Sequence, residues 1–292
     1  MKTYLWLFRR ELWENRAIWI LPAAIGAATL LICMFGRIRL DEVPANFSPE
    51  QLRVVAPILM GGIGTGLFVI MLVYTSWYLM DCLYAERKDR SVLFWKSLPV
   101  TDADTVLSKL AMALLVIPAV YFVVADLTAL GASFILSVRG GSYLTAALWH
   151  PGDWVELQVL GLYAIITSAL WFLPFSAWML FVSSWAKRAV TLWALLAPLV
   201  VCYAETQLLG TNYLGRILVS HAGNYAAAAY FGDENFTRHT LIQGDHLNTP
   251  GALGEFIDPA GFFASRELWM GVAVGAALMA ASIHMRRRQT ES

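Results

Sequence analysis

The chain has 292 residues, of which 58% are hydrophobic and 14% charged, with 21 Lys and Arg balancing 21 Asp and Glu. An average soluble domain is about 45–50% apolar and about 25% charged, so this composition, with a mean hydropathy of +0.58, points to an integral membrane protein. It excludes a disordered chain, which needs low hydrophobicity and high net charge. It also argues against nucleic-acid binding, because no excess of positive charge exists to neutralise phosphates.

The first 16 residues are too short to span a bilayer but are patterned. Leu5, Phe8 and Leu12 recur at spacings of three and four, flanked by Trp6 and Trp13, and Arg9, Arg10, Glu11, Glu14 and Arg16 fill much of the rest. This predicts an amphipathic helix lying at the cytoplasmic interface; the alternative is an extension of the first span into water. Six stretches then reach the roughly 20 apolar residues that a bilayer of about 30 Å requires. They cover 17–35, 54–80, 110–138, 155–185, 189–209 and 268–285. The first is followed by Gly36-Arg37-Ile38-Arg39 without a small-x-small site, so a cleaved signal peptide is not expected. Ser48-Pro49-Glu50-Gln51, Thr101-Asp102-Ala103-Asp104 and Asp153 to Glu156 read as helix starts.

With six spans both termini lie on one side. That side holds 14 of the 21 basic residues, among them Lys2, Arg9, Arg10, Arg16, Arg87, Lys88, Lys109, Lys187, Arg188 and Arg286, leaving seven on the other. The basic excess makes the first side cytoplasmic. The cytoplasmic loop 81–108 carries Glu86, Arg87, Lys88, Asp89 and Arg90, turns apolar at Phe94 and Trp95, and breaks at Leu98-Pro99. Large apolar residues after a charged turn suggest a surface awaiting a partner; the alternative is that Phe94 and Trp95 dip into the membrane interface. A long outer loop, 210–267, reads as helical and mildly apolar over 212–230 and rich in Gly, Asn, Asp and Pro beyond.

Catalytic and metal motifs are largely absent. No P-loop, G-x-S-x-G or H-E-x-x-H occurs, and the five histidines fit no ligand set, His239 with Asp245-His246 included. Cys33, Cys82 and Cys202 are odd in number, set in or beside apolar runs, and read as small apolar fillers. Gly61-Gly62-Ile63-Gly64-Thr65-Gly66 lies inside an apolar span, so close helix packing is expected there rather than nucleotide binding. Two acids lie within spans: Asp126 is 17 residues beyond Lys109, and Glu205 is 17 beyond Arg188. Equal offsets predict similar depth. Intramembrane acids face a bundle interior or water, as candidates for a translocation pathway or as hydrogen-bond partners of a neighbouring helix.

Taken together, the chain resembles the type-2 permeases of ABC transporters, chiefly exporters. The resemblance rests on the leading amphipathic helix, six spans, cytoplasmic termini and long final outer loop. It rests further on Glu86-Arg87, Leu98-Pro99-Val100 and Ser108-Lys109, which are similar to the family's charged pair, Leu-Pro-Val turn and Lys opening the third span; Asp89-Arg90-Ser91 stands where many members have glycine. The resemblance implies an all-α permease domain over 1–292 in a bacterial cytoplasmic (inner) membrane. It implies two copies of a separate ABC ATPase as partners, which would hold the ATP and Mg²⁺, and a second permease copy or paralogue. No cofactor is expected in this chain. Residues 84–98 would form a coupling segment with Glu86, Arg87, Phe94, Trp95, Leu98 and Pro99 as candidates. Other readings are a non-transporting regulatory or assembly subunit, a membrane-embedded enzyme, or a secondary transporter with Asp126 as ion site, although no internal repeat is evident.

Overall fold

A computed structural model describes residues 2–36, 55–89, 100–225, 227–231 and 257–288. Among the described residues 91% are helical and none lies in a strand, and six helices are long and apolar enough to cross a membrane. The chain is therefore a multi-pass, all-α membrane protein. The helix-start signal at Ser48 and the loop residues Phe94, Trp95, Leu98 and Pro99 lie outside the described residues.

In chain order the helices are α1 (Lys2–Glu14), α2 (Ala17–Phe35), α3 (Val55–Lys88), α4 (Asp102–Ala111), α5 (Ile117–Leu148), α6 (Pro151–Trp171), α7 (Leu173–Trp185), α8 (Val190–Leu209), α9 (Tyr213–Gly223), α10 (Pro259–Ala264) and α11 (Arg266–Arg288). Their boundaries follow from local chemistry. Thr101 caps α4 with a capping box: its hydroxyl accepts from Asp104 N at 3.1 Å, and the Asp104 carboxylate accepts from Thr101 N at 3.3 Å. Between α4 and α5 a π turn, Met112–Val116, runs up to Pro118, whose missing N–H already breaks the regular ladder. Gly210, at φ 62°, ends α8 in the left-handed conformation that glycine adopts at helix C-termini.

One stretch departs from the pattern of hydropathy. Residues 155–185 read as a single long span, but two helices meet at Phe172 (φ −85°, ψ 7°). Pro174 sits in the first turn of α7, where a proline is tolerated, and α7 has only 13 residues. Short as it is, α7 occupies the middle of the bundle, packing extensively on α11 and α3. The main core gathers around these helices, with Leu79, Leu83, Val106, Met112, Ile117 and Leu180 buried together.

Small residues set the close approaches. A Cβ on Gly26 would stand 2.5 Å from the Thr128 hydroxyl, and one on Gly131 would stand 2.9 Å from Leu30, which brings α2 against α5. Gly271 and Gly275, one turn apart on α11, do the same against His221, Pro174 and Leu173. The 61–66 glycines on α3 make no such approach: a Cβ on Gly61, Gly62, Gly64 or Gly66 would meet no described atom within 4 Å. In contrast α8 is exposed along most of its length, with Leu195, Leu199, Val200 and Val201 open to the surroundings. In a multi-pass protein such a surface suits lipid.

Candidate functional site

Beside the ends of the cytoplasm-assigned loop 81–108, charged side chains from four helices meet inside the protein. α1 brings Glu11 on the stripe it shares with Leu7, Phe8 and Leu12, so packing this face drives a carboxylate into the interior. α3 brings Glu86 near its last turn and α4 brings Asp102 and Lys109, while α11 brings Arg286 near its end. Asp102 in a first turn and Arg286 in a last turn also suit the dipoles of their own helices.

The geometry is that of a closed ionic cluster. Lys109 Nζ donates to Glu11 Oε1 at 2.8 Å and stands 3.1 Å from Glu86 Oε1. Arg286 Nη1 donates to Glu86 Oε2 at 2.8 Å, and its Nε donates to Asp102 Oδ1 at 3.1 Å. Arg10 Nη2 reaches Glu86 Oε1 at 3.3 Å while its Nε donates to Glu14 at 2.7 Å. The Tyr78 hydroxyl donates to Glu11 Oε2 at 2.8 Å. The side chains of Lys109, Glu11 and Arg286 are each 3% exposed and that of Glu86 is 5% exposed. At that depth an ion persists only when opposite charges and hydrogen bonds replace its water. Burial opposes the charge on Arg10, but Glu14, Glu86 and Glu11 outweigh it and hold the guanidinium above its ordinary pKa.

Chemically, this arrangement is a buried network of ion pairs that ties four helices together. Glu86 and Asp102 stand at the two ends of the segment 89–101, and Arg286 holds both. Arg286 thus ties α3 and α4 to α11, and Lys109 and Glu11 tie α1 to the same cluster. Arg87, next to Glu86, makes a second tie. Its Nη2 donates to the carbonyls of Ser183 and of Ala186, the latter at 2.9 Å, at the end of α7, where a cation satisfies otherwise orphaned carbonyls. Glu86 and Arg87 thus make these contacts within the chain. Of the remaining coupling candidates, Phe94, Trp95, Leu98 and Pro99 lie outside the described residues.

The two span acids have separate surroundings. Asp126 on α5 accepts from Gln158 Nε2 of α6 at 2.7 Å. Glu205 accepts from the Thr211 hydroxyl at 3.0 Å and from the backbone N–H groups of Tyr213 and Leu214 at 2.7 and 2.9 Å. It caps the start of α9, so its carboxylate has a local structural partner. Among the described residues no group of three or more His, Cys, Asp or Glu is arranged to hold a metal ion.

A second cluster, aromatic rather than ionic, lies towards the other end of α11. The Trp171 ring stacks on His221 with centroids 4.7 Å apart, and Trp171 Nε1 donates to the His221 carbonyl at 2.6 Å. Phe172, Phe175, Tyr225 and Phe262 pack around this pair. The cluster sits at the break between α6 and α7 and joins α9 and α10 to the bundle.

Reading the sequence alone identified Glu86 and Arg87 but missed Glu11, Lys109, Asp102 and Arg286 as their company. One signal was available: a glutamate at position 11 on an otherwise apolar helical stripe asks for a buried cation. No protein-family model matches the chain, and neither does any curated protein or solved structure.

Proposed function

We propose that this chain is the membrane-spanning permease subunit of an ATP-driven ABC transporter, of exporter type. In this reading it lies in a bacterial cytoplasmic membrane with both termini inside, pairs with a second permease copy or paralogue, and is driven by two copies of a separate ATPase. ATP and Mg²⁺ belong to that partner. The observation that carries the reading is the ionic cluster, in which Arg286 pairs with Glu86 of the charged pair and with Asp102, the two residues that flank the segment carrying the Leu-Pro-Val turn. A loop that must transmit force needs rigid anchorage at both ends. The 14-to-seven excess of basic residues supports the orientation, and six apolar helices fit a permease domain. Phe94 and Trp95 touch the ATPase in this reading, whereas Glu86 and Arg87 hold the segment in place. Asp126, with Gln158 beside it, is the stronger pathway candidate of the two acids.

The test is copurification. The tagged chain, extracted gently from its native membrane, should bring down an ABC ATPase identified by mass spectrometry. Trp95→Ala should weaken that association about 30-fold, the equivalent of the roughly 2 kcal/mol that a buried aromatic anchor contributes. If the unaltered chain brings down no ATPase, the reading fails. If Trp95→Ala binds as the unaltered chain does, the contact surface lies elsewhere.

A further inference from the structure

Among the described residues, the outward face of α1 is not covered by the bundle. Its inward face, Leu7, Phe8, Glu11 and Leu12, packs on the bundle and feeds the ionic cluster. The opposite face carries Trp6, Arg9 and Trp13, spaced three and four residues apart along one helical stripe, and Arg16 follows at the turn between α1 and α2, as the N-cap of α2. Trp6 is 66% exposed and Trp13 is 69% exposed. The Arg9 guanidinium lies between their rings, 5.6 Å from one centroid and 5.0 Å from the other. No carboxylate among the described residues pairs with Arg9 or Arg16, while the neighbouring Arg10 is occupied by Glu14 and Glu86. Just beyond Arg16, Trp19 and Ile20 are exposed in the first turn of the apolar, span-length α2.

We propose that this stripe is a binding site for the headgroup of an anionic phospholipid, at the membrane boundary next to the N-terminus. The side chains suit that ligand and that place. Indole rings partition to the headgroup level, where an apolar body meets lipid and the N–H meets water. Guanidinium groups pair with phosphate through two parallel hydrogen bonds. The Arg9 guanidinium is already placed against two rings, so less side-chain freedom remains to be lost on binding. The stripe is also followed directly by α2, which places the acyl chains of the same molecule along an apolar helix. In this proposal the two faces of α1 divide their contacts. The aliphatic stripe packs on the protein, and the indole and guanidinium stripe faces the bilayer boundary. This inference stands independently of the transporter reading, since it requires only that α2 cross the membrane.

The experiment uses the full-length, delipidated protein in mild detergent, titrated with phosphatidylglycerol or phosphatidylcholine and read by native mass spectrometry and thermal shift. The unaltered chain should prefer phosphatidylglycerol. Each cation near an anionic lipid surface contributes roughly fivefold, so R9Q with R16Q together should reduce that preference about 25-fold. R9K should keep most of it, and W6A with W13A should weaken binding of both lipids. The inward face is untouched in all these variants, so their secondary structure and monodispersity should match the unaltered chain. Unchanged selectivity in the double arginine variant overturns the proposal. So does competition by inorganic phosphate as strong as by the lipid, which would mean a free-anion site. A change of oligomeric state in the double arginine variant, with lipid selectivity retained, also overturns it, because the stripe would then be a protein contact.

Discussion

The ionic cluster at one end of α11 and the aromatic cluster at the other hold the same helix by different physics. Arg286 enters the first and Gly271 the second, 15 residues apart by number, or on the order of 22 Å at 1.5 Å per residue. At the ionic end the partners come from four helices and each carboxylate or cation answers for a neighbour's charge. At the aromatic end the requirement is shape: Gly271 leaves the space that His221 fills, and Trp171 lies flat on the imidazole. Charge pairing is intolerant of losing one member, because the remaining charges stay buried. Ring packing loses contact area more gradually. The comparison suggests that the ionic end sets whether the helices associate at all, and the aromatic end sets how the outer segments seat on them.

The sharpest way to break this contrast is Glu86→Gln. It leaves Lys109, Arg286 and Arg10 without their shared carboxylate, and should destabilise the fold by about 3–5 kcal/mol as measured by thermal or denaturant unfolding in detergent. A loss below about 1 kcal/mol would mean that the cluster is wet and weak, as surface pairs are. Trp171→Phe keeps a ring but removes the donor to the His221 carbonyl, and should cost about 1–3 kcal/mol in the same assay. Combining Glu86→Gln with Arg286→Gln should be strongly non-additive, whereas Glu86→Gln with Trp171→Phe should add to within about 0.5 kcal/mol. Clear coupling in the second pair would show that α11 carries strain between its ends, and would dissolve the division drawn here. Gly271→Ala sets a Cβ 2.9 Å from the His221 ring. That ring is held by its stack and by a 2.9 Å hydrogen bond between Nε2 and the Trp171 carbonyl, so a loss of about 1–2 kcal/mol is expected, within the range for overpacking. Smallest is Thr101→Ala, which removes half of the capping box beside the ionic end and should cost about 1 kcal/mol, visible as a modest fall in melting temperature.

How much of this was legible in the sequence depends on the range of the interaction concerned. Helix type and apolar length are local properties, so the membrane-crossing helices and the Thr101 capping box follow from short stretches of residues. The break at Phe172 was less visible because Leu170 to Phe175 is apolar without interruption; only Pro174 marks it, and a hydropathy window averages one proline away. The inward turn of Glu86 and Arg87 was not legible from their own neighbourhood. Polar neighbours such as Lys88 and Asp89 suggest an exposed turn, while the partners that bury Glu86 come from positions 10, 109 and 286. The equal offsets of Asp126 and Glu205 describe distance along two helices, but Glu205 lies one turn from the end of α8, where backbone N–H groups of the next helix are within reach. The glycines show the same limit. A run at 61–66 attracts attention, yet the close approaches are made by Gly26, Gly131, Gly271 and Gly275, because what matters is which helix face meets a neighbour.

The position of Arg286 in the chain bears on how the protein is made. Translation delivers Arg10, Glu11, Glu86, Asp102 and Lys109 first, a set with three carboxylates and two cations, and the arginine that balances it emerges only with the last turn of α11. Until then Glu86 and Asp102 lack the guanidinium that later bridges them. A nascent or truncated polypeptide without α11 therefore keeps Glu86 paired with Lys109 and Arg10 but leaves the set one cation short, with Asp102 lacking the guanidinium that pairs with it in the finished chain.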